Sequence, residues 1–219
     1  MPLFQRLKED CCEDWAAYTQ HAFVRAMGEG NLPEAAFRDY LIQDYLFLIQ
    51  FSRAYALSIY KARSVMEMRH GLDGLKAILE VEMGLHVRLC SGWGIDEAAL
   101  ETMQEKGPTV AYTRFVLDAG NAGDLLDLYV ALAPCMIGYA EIGKALEPLA
   151  DGRNPYGEWI KEYASDGYQA IAAATIEHID ALASEMMTEA RYPRLKRLFA
   201  SASRLEADFW QMGLDAVDE

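Results

Sequence analysis

At 219 residues, with 52% hydrophobic side chains, the chain is long enough to bury one large core, and no linker or low-complexity tract divides it. A formal net charge of −14 without a Lys/Arg cluster repels phosphate backbones and anionic membranes, which argues against a nucleic-acid or membrane partner. Charges interrupt the apolar runs and no apolar leader follows Met1, while Cys11–Cys12, Cys90 and Cys135 have the spacing of neither a disulfide framework nor a zinc knuckle; reduced thiols in a soluble cytoplasmic protein are expected.

Helical periodicity runs from end to end. The spacing of Phe4, Leu7, Cys11, Trp15, Tyr18 and Ala22 predicts one helix from about Leu3 to Met27, stopped by Gly28-Glu29-Gly30. Pro33 then opens a helix reaching about Arg63. On it, Tyr40, Asp44, Phe47, Phe51 and Tyr55 recur at steps of four and three, an aromatic stripe with one carboxylate set into it. An aspartate buried there needs a partner. One candidate is an arginine on a neighbouring helix. The other is the amino-bearing edge of a flat heterocycle, with Phe47 and Phe51 packed on the ring.

A third helix, about Asp73 to Leu89, carries Glu82 and His86 four residues apart, a spacing that suits half a metal site but more often marks a surface pair. A short helix over about Ile95–Lys106 follows, and Gly107-Pro108-Thr109 opens another with Tyr112, Phe115 and Val116 on one face. The next helix, about Asp124 to Leu149, contains Ala133-Pro134-Cys135-Met136-Ile137-Gly138-Tyr139. Proline there removes a backbone donor and predicts a kink that frees the Val130 carbonyl, with Tyr139 sharing the face of Cys135 and Gly138 leaving room for a small ligand. The alternative is a core helix with an inert buried thiol. Beyond the turn at Asp151–Gly157, a helix with Trp159, Tyr163, Tyr168 and His178 runs to about Ser184. The last, about Pro193 to Leu214, places Glu206 with Phe209 and Trp210; burial would raise its pKa and suit it to proton transfer, whereas a boundary position would leave it inert.

Taken together, Tyr40-Leu41-Ile42-Gln43-Asp44-Tyr45-Leu46, Ala111-Tyr112-Thr113, Pro134-Cys135 with Gly138-Tyr139, Asn154-Pro155-Tyr156 with Trp159-Ile160 and Tyr163, and Glu206 with Phe209-Trp210 resemble the TenA family in order and interval over nearly the whole chain. That resemblance implies an all-α, single-domain, haem-oxygenase-like helical bundle over residues 1–219, and a thiaminase II type aminopyrimidine hydrolase assembled as a homotetramer. It implies Cys135 as nucleophile and Glu206 as acid/base. Asp44 would hold the aminopyrimidine edge, Phe47 would stack on it, and Tyr112, Tyr139 and Tyr163 would line the pocket. The family often has tyrosine where this chain has Phe47. Expected substrates are 4-amino-5-aminomethyl-2-methylpyrimidine and thiamine, giving hydroxymethyl aminopyrimidine for thiamine salvage, with no cofactor and no metal. An electron-poor aminopyrimidine is open to thiolate attack, which fits the residues independently. His21, His70, His86 and His178 lie outside the stripes assigned to the pocket, so no acyl-transfer triad is expected. Two further readings remain: an aminopyrimidine-binding or regulatory protein without catalysis, and a metal-dependent oxidase using Glu82, His86, Glu141 and His178.

Overall fold

The computed structural model describes residues 1–217; 82% of it is helical, and no strand occurs among the described residues. The all-α expectation is met. The chain divides into two compact units, one formed by Met1–Leu32 with Tyr129–Gln211, the other by Pro33–Leu128 with the C-terminal residues from Met212.

In the first unit the chain begins with three short helices, α1 (Leu3–Asp10), α2 (Cys12–Thr19) and α3 (Ala22–Glu29). The single long helix expected here is broken twice, at Cys11 (φ −118°, ψ 28°) and Gln20 (φ −114°, ψ 26°), residues outside the helical well although neither is Gly or Pro. Redirecting the chain lets both sides of it reach one core: Trp15 stacks on Phe199 at 5.4 Å and Phe23 on Trp210 at 4.9 Å. Each fully buried ring of this kind is worth roughly 1.5–3 kcal/mol. Gly30, at φ 72°, closes α3 with a left-handed cap that other side chains resist.

The second unit is built on α4 (Glu34–Lys61), which matches the expected helix within two residues at either end. Helix α5 (Val65–Lys76) lies flat against it because Gly71 and Gly74 carry no side chain; a Cβ on Gly74 would sit 2.2 Å from Tyr55 Cε1. A π segment, Ala77–Glu82, joins α5 to α6 (Met83–Ser91), and α7 (Glu97–Thr102) and α8 (Gly107–Ala122) follow. Gln43 fastens the connection between α7 and α8. Its amide donates to the Gln104 carbonyl (3.0 Å) and accepts from the Lys106 backbone N–H (2.8 Å) and the Thr109 hydroxyl (2.6 Å).

From α9 (Leu125–Ala133) the chain passes through a second π segment, Pro134–Gly138, into α10 (Tyr139–Leu146). Over Leu125–Leu149 this run is long and apolar enough to cross a membrane, contrary to the sequence expectation, yet its most apolar stretch is 94% buried within the protein. It is a core helix. The helix expected from Trp159 to Ser184 is two, α11 (Gly157–Ala164) and α12 (Asp166–Met186), divided at Ser165, whose hydroxyl accepts from the Tyr168 N–H as an N-cap. Helix α13 (Tyr192–Asp215) closes the chain.

Candidate active site

The residues singled out by sequence fall into two sets, one in each unit. In the unit containing α4, Asp44, Phe47 and Tyr112 are all buried, and the Phe47 ring lies 5.0 Å from that of Tyr112 and 5.1 Å from that of Phe51. Helices α4 and α8 bring this set together, with Gln43 holding the start of α8 in register one residue from Asp44.

Asp44 is 3% exposed, and its side-chain partners are a histidine and a tyrosine, not the arginine that was one of its two candidates. His86 Nε2 lies 2.7 Å from Asp44 Oδ2, and the Tyr40 hydroxyl donates to the same oxygen at 2.9 Å. The other imidazole nitrogen, Nδ1, is 2.8 Å from the Glu82 carbonyl. Neither Glu82 nor His86 is at the surface, so the surface-pair reading of that spacing fails. Burial by itself pushes the His86 pKa down; the hydrogen bond and charge of Asp44, aided by the carbonyl and charge of Glu82, outweigh it and raise the pKa above the ordinary histidine value. The sequence reading missed His86 as part of this set. The signal was its i, i+4 relation to Glu82, which turns out to orient the ring through the backbone carbonyl rather than through the carboxylate.

In the other unit, Cys135, Tyr139, Tyr163 and Glu206 are buried, with Cys135 6% and Glu206 1% exposed. Cys135 sits in the second π segment, a form of backbone concentrated at functional sites. Pro134 opens this segment, so the widened turn of helix begins at the proline. The Tyr18 hydroxyl donates to the Pro134 carbonyl at 3.3 Å. The space beside Gly138 that the sequence offered to a ligand is filled by Tyr18: a Cβ on Gly138 would lie 2.3 Å from Tyr18 Cε1. Tyr139 is 5.1 Å from Tyr163, 5.3 Å from Trp210 and 5.8 Å from Trp159, ring to ring, and Tyr163 is 4.3 Å from Trp159. Glu206 lies one turn before Trp210 on α13, on the same face of that helix.

Asn154 and Tyr156, also part of the family pattern, serve the fold. The Asn154 amide donates to the Met27 (3.2 Å), Gly28 (2.9 Å) and Leu149 (3.3 Å) carbonyls, capping α3, and the Tyr156 hydroxyl donates to the Leu32 carbonyl. Among the described residues no three His, Cys, Asp or Glu side chains gather as a metal site, and the His178 ring packs edge-on against Tyr129 at 4.6 Å.

The sequence profile of the TENA/THI-4/PQQC family matches residues 10–216. The chain belongs to this family. An aminopyrimidine aminohydrolase of Halalkalibacterium halodurans is 38% identical to this TENA/THI-4/PQQC chain over 200 residues, 90% of the chain and 89% of that protein. A crystal structure described as a TenA family transcription regulator, from a Silicibacter species, is 44% identical with a TM-score of 0.92, covering 97% of this chain and 96% of its own. A domain with a heme oxygenase-like fold from Shewanella denitrificans, 13% identical, covers 98% of this chain and 93% of its own at a TM-score of 0.72 and shares the fold alone. The fold is the haem-oxygenase-like one that the sequence motifs implied.

Proposed function

We propose that this TENA/THI-4/PQQC family member is an aminopyrimidine aminohydrolase of the thiaminase II type, acting by cysteine nucleophilic catalysis. The observation that carries the reading is a buried carboxylate, Asp44, with one oxygen fixed by Tyr40 and His86 beside the Phe47 and Tyr112 rings, in a chain whose 38% identical relative bears that activity's name. Asp44 accepts from the amino-bearing ring edge, Phe47 packs on the ring, and Tyr112, Tyr139 and Tyr163 line the pocket. The Cys135 thiolate adds to an electron-poor ring carbon, and its electron pair passes into the ring nitrogens. Those electrons then expel the group on the exocyclic methylene, ammonia from the aminomethyl pyrimidine or the thiazole from thiamine, with Glu206 giving the departing amine its proton. Water adds at the methylene and returns a proton to Glu206; the thiolate is released, leaving hydroxymethyl aminopyrimidine for thiamine salvage. This cycle needs no cofactor. The location we assign is cytoplasmic and the assembly a homotetramer, the latter supported by exposed apolar side chains on α5 and the first π segment.

The test is turnover of 4-amino-5-aminomethyl-2-methylpyrimidine and of thiamine by purified protein beside a Cys135→Ser variant. Release of ammonia or thiazole by the wild type, with kcat in the variant lower by at least about 100-fold, is expected. Equal turnover by both proteins removes Cys135 as nucleophile. The Silicibacter relative's description as a regulator favours a second reading, a binding protein without turnover. Tight binding with no product over long incubation is its signature.

A further inference from the structure

The imidazole of His86 is fully enclosed, and both of its nitrogens face acceptors: a backbone carbonyl, which has no proton to give, at 2.8 Å from Nδ1, and the Asp44 carboxylate at 2.7 Å from Nε2. A neutral imidazole has one donor, which Glu82 already claims, and would turn a lone pair toward Asp44 Oδ2. With protons on both nitrogens every contact is satisfied. The Tyr40 hydroxyl adds a second donor to the same oxygen. All side-chain bonds to Asp44 among the described residues fall on Oδ2, and Oδ1 is uncommitted. Carboxylate, imidazolium and hydroxyl come from two separate elements, α4 and α6, and the ring is turned by the carbonyl that ends the first π segment.

We propose that His86 is the positioning residue for Asp44: a doubly protonated imidazole that pins Oδ2 and leaves Oδ1 as a pure acceptor, so that the protein selects rings whose exocyclic group at position 4 donates an N–H over those that carry a carbonyl there. This deepens the assignment of Asp44 as the heterocycle anchor and rests on it. A carboxylate tied down at one oxygen by a charged donor cannot turn, and it presents no proton to a ligand oxygen. A 4-aminopyrimidine gives Oδ1 a hydrogen bond. Seated as the amino compound is, its 4-oxo counterpart, a lactam whose ring N–H lies at N3, sets its carbonyl oxygen against Oδ1, an unpaired buried contact of the kind that sites use to reject an analogue.

Three proteins decide it: wild type, His86→Gln, whose amide retains one neutral donor, and His86→Leu, which retains none. In nitrogen-15 spectra of the wild type, both His86 ring nitrogens should show the protonated shift at neutral pH, whether or not the protein turns anything over. A neutral ring overturns the proposal and leaves the hydrolase reading untouched. Calorimetric titration with 4-amino-5-hydroxymethyl-2-methylpyrimidine and its 4-oxo counterpart gives the second readout. The wild-type preference for the amino compound should fall by roughly tenfold or more in His86→Leu and be partly restored in His86→Gln. In turnover, KM should rise while kcat changes by less than about threefold, since the group acts on ring binding and not on the bond broken. An unchanged amino-over-oxo preference in folded His86→Leu, or a fall in kcat at constant KM, overturns it. Should the wild type bind the aminopyrimidine yet release no product, the preference ratio still tests His86, while the hydrolase reading alone fails.

Discussion

At the scale of single residues, the Asp44–His86 contact makes the stability of the protein depend on pH in a definite direction. The His86 pKa is raised in the folded chain above the ordinary value of 6.5. Below the ordinary value folded and unfolded chains both carry the proton and the contribution is complete; as pH rises past it, the unfolded chain loses the proton first, and the contribution shrinks until the folded pKa is passed. His21 and His70 have lowered pKa values through burial and tilt the curve the opposite way, so the wild-type profile alone mixes the two. The difference in unfolding free energy between wild type and His86→Gln, measured by urea titration from about pH 5.5 to 9, isolates the pair. That difference should be largest at the acid end and fall with rising pH; a flat or rising difference contradicts a charged His86. A buried ion pair need not add net stability over an apolar substitute, and the pH slope is independent of that question. Sequence periodicity placed Asp44 among aromatics correctly because a stripe repeating at steps of three and four has only one helical face to occupy. It did not connect His86 with Asp44 because an i, i+4 Glu-His pair looks the same whether its helix is wet or enclosed. Gly138 was read rightly as a point of close approach, but what approaches is the Tyr18 ring from another helix, which no local pattern encodes.

Among elements, the legible ones carry their own boundary chemistry. Helix α4 has Pro33 before it and 28 residues of periodic pattern, and it was found nearly intact. The breaks at Cys11 and Gln20 have no such marker; tertiary packing of Trp15 and Phe23 imposes them, and only His21, whose Nδ1 accepts from the Phe23 N–H at 3.3 Å, supplies an unusual cap. Ser165, which caps α12, is a start signal that the periodic reading did not use. The two π segments are likewise invisible to a 3.6-residue template, because a π turn admits an extra residue and rotates the side chains downstream of it by roughly 100°. The α7–α8 connection is the element whose strength is most concentrated in one side chain. Gln43→Ala removes a partner each from the Lys106 amide, the Gln104 carbonyl and the Thr109 hydroxyl, which keeps Met212 Sδ at 3.7 Å, in a position 3% exposed. Unsatisfied buried groups of this kind cost about 1–3 kcal/mol each, and water entering the loosened loop recovers part of it; a net loss of about 2–3 kcal/mol is expected. Hydrogen exchange at Lys106 should accelerate with it. A stability change under about 0.5 kcal/mol with the Lys106 amide still protected shows that the loop holds without Gln43.

For the whole molecule, assembly is a contest between apolar surface and net charge. Tyr60 and Met66 are 85% and 77% exposed, and Val65, Leu72, Leu79 and Val81 join them over the same stretch of chain, too large a concentration of apolar side chains to leave in water without consequence. The chain carries −14 overall, yet residues 60–81 hold four Lys/Arg against three Asp/Glu, so this stretch is close to neutral while the acidic excess lies elsewhere. A second copy would therefore meet a face that attracts by burial and repels little at contact, with the wider acidic field opposing approach until salt screens it beyond about 8 Å. Light scattering coupled to gel filtration should then show a homotetramer at physiological ionic strength and smaller species in low salt. Met66→Glu combined with Leu79→Glu adds two charges to the neutral stretch and should give the smaller species at every salt concentration, with the helical circular-dichroism signal retained. A wild type that elutes as a monomer throughout, or a double variant that assembles as the wild type does, assigns the exposed apolar stretch no part in self-association.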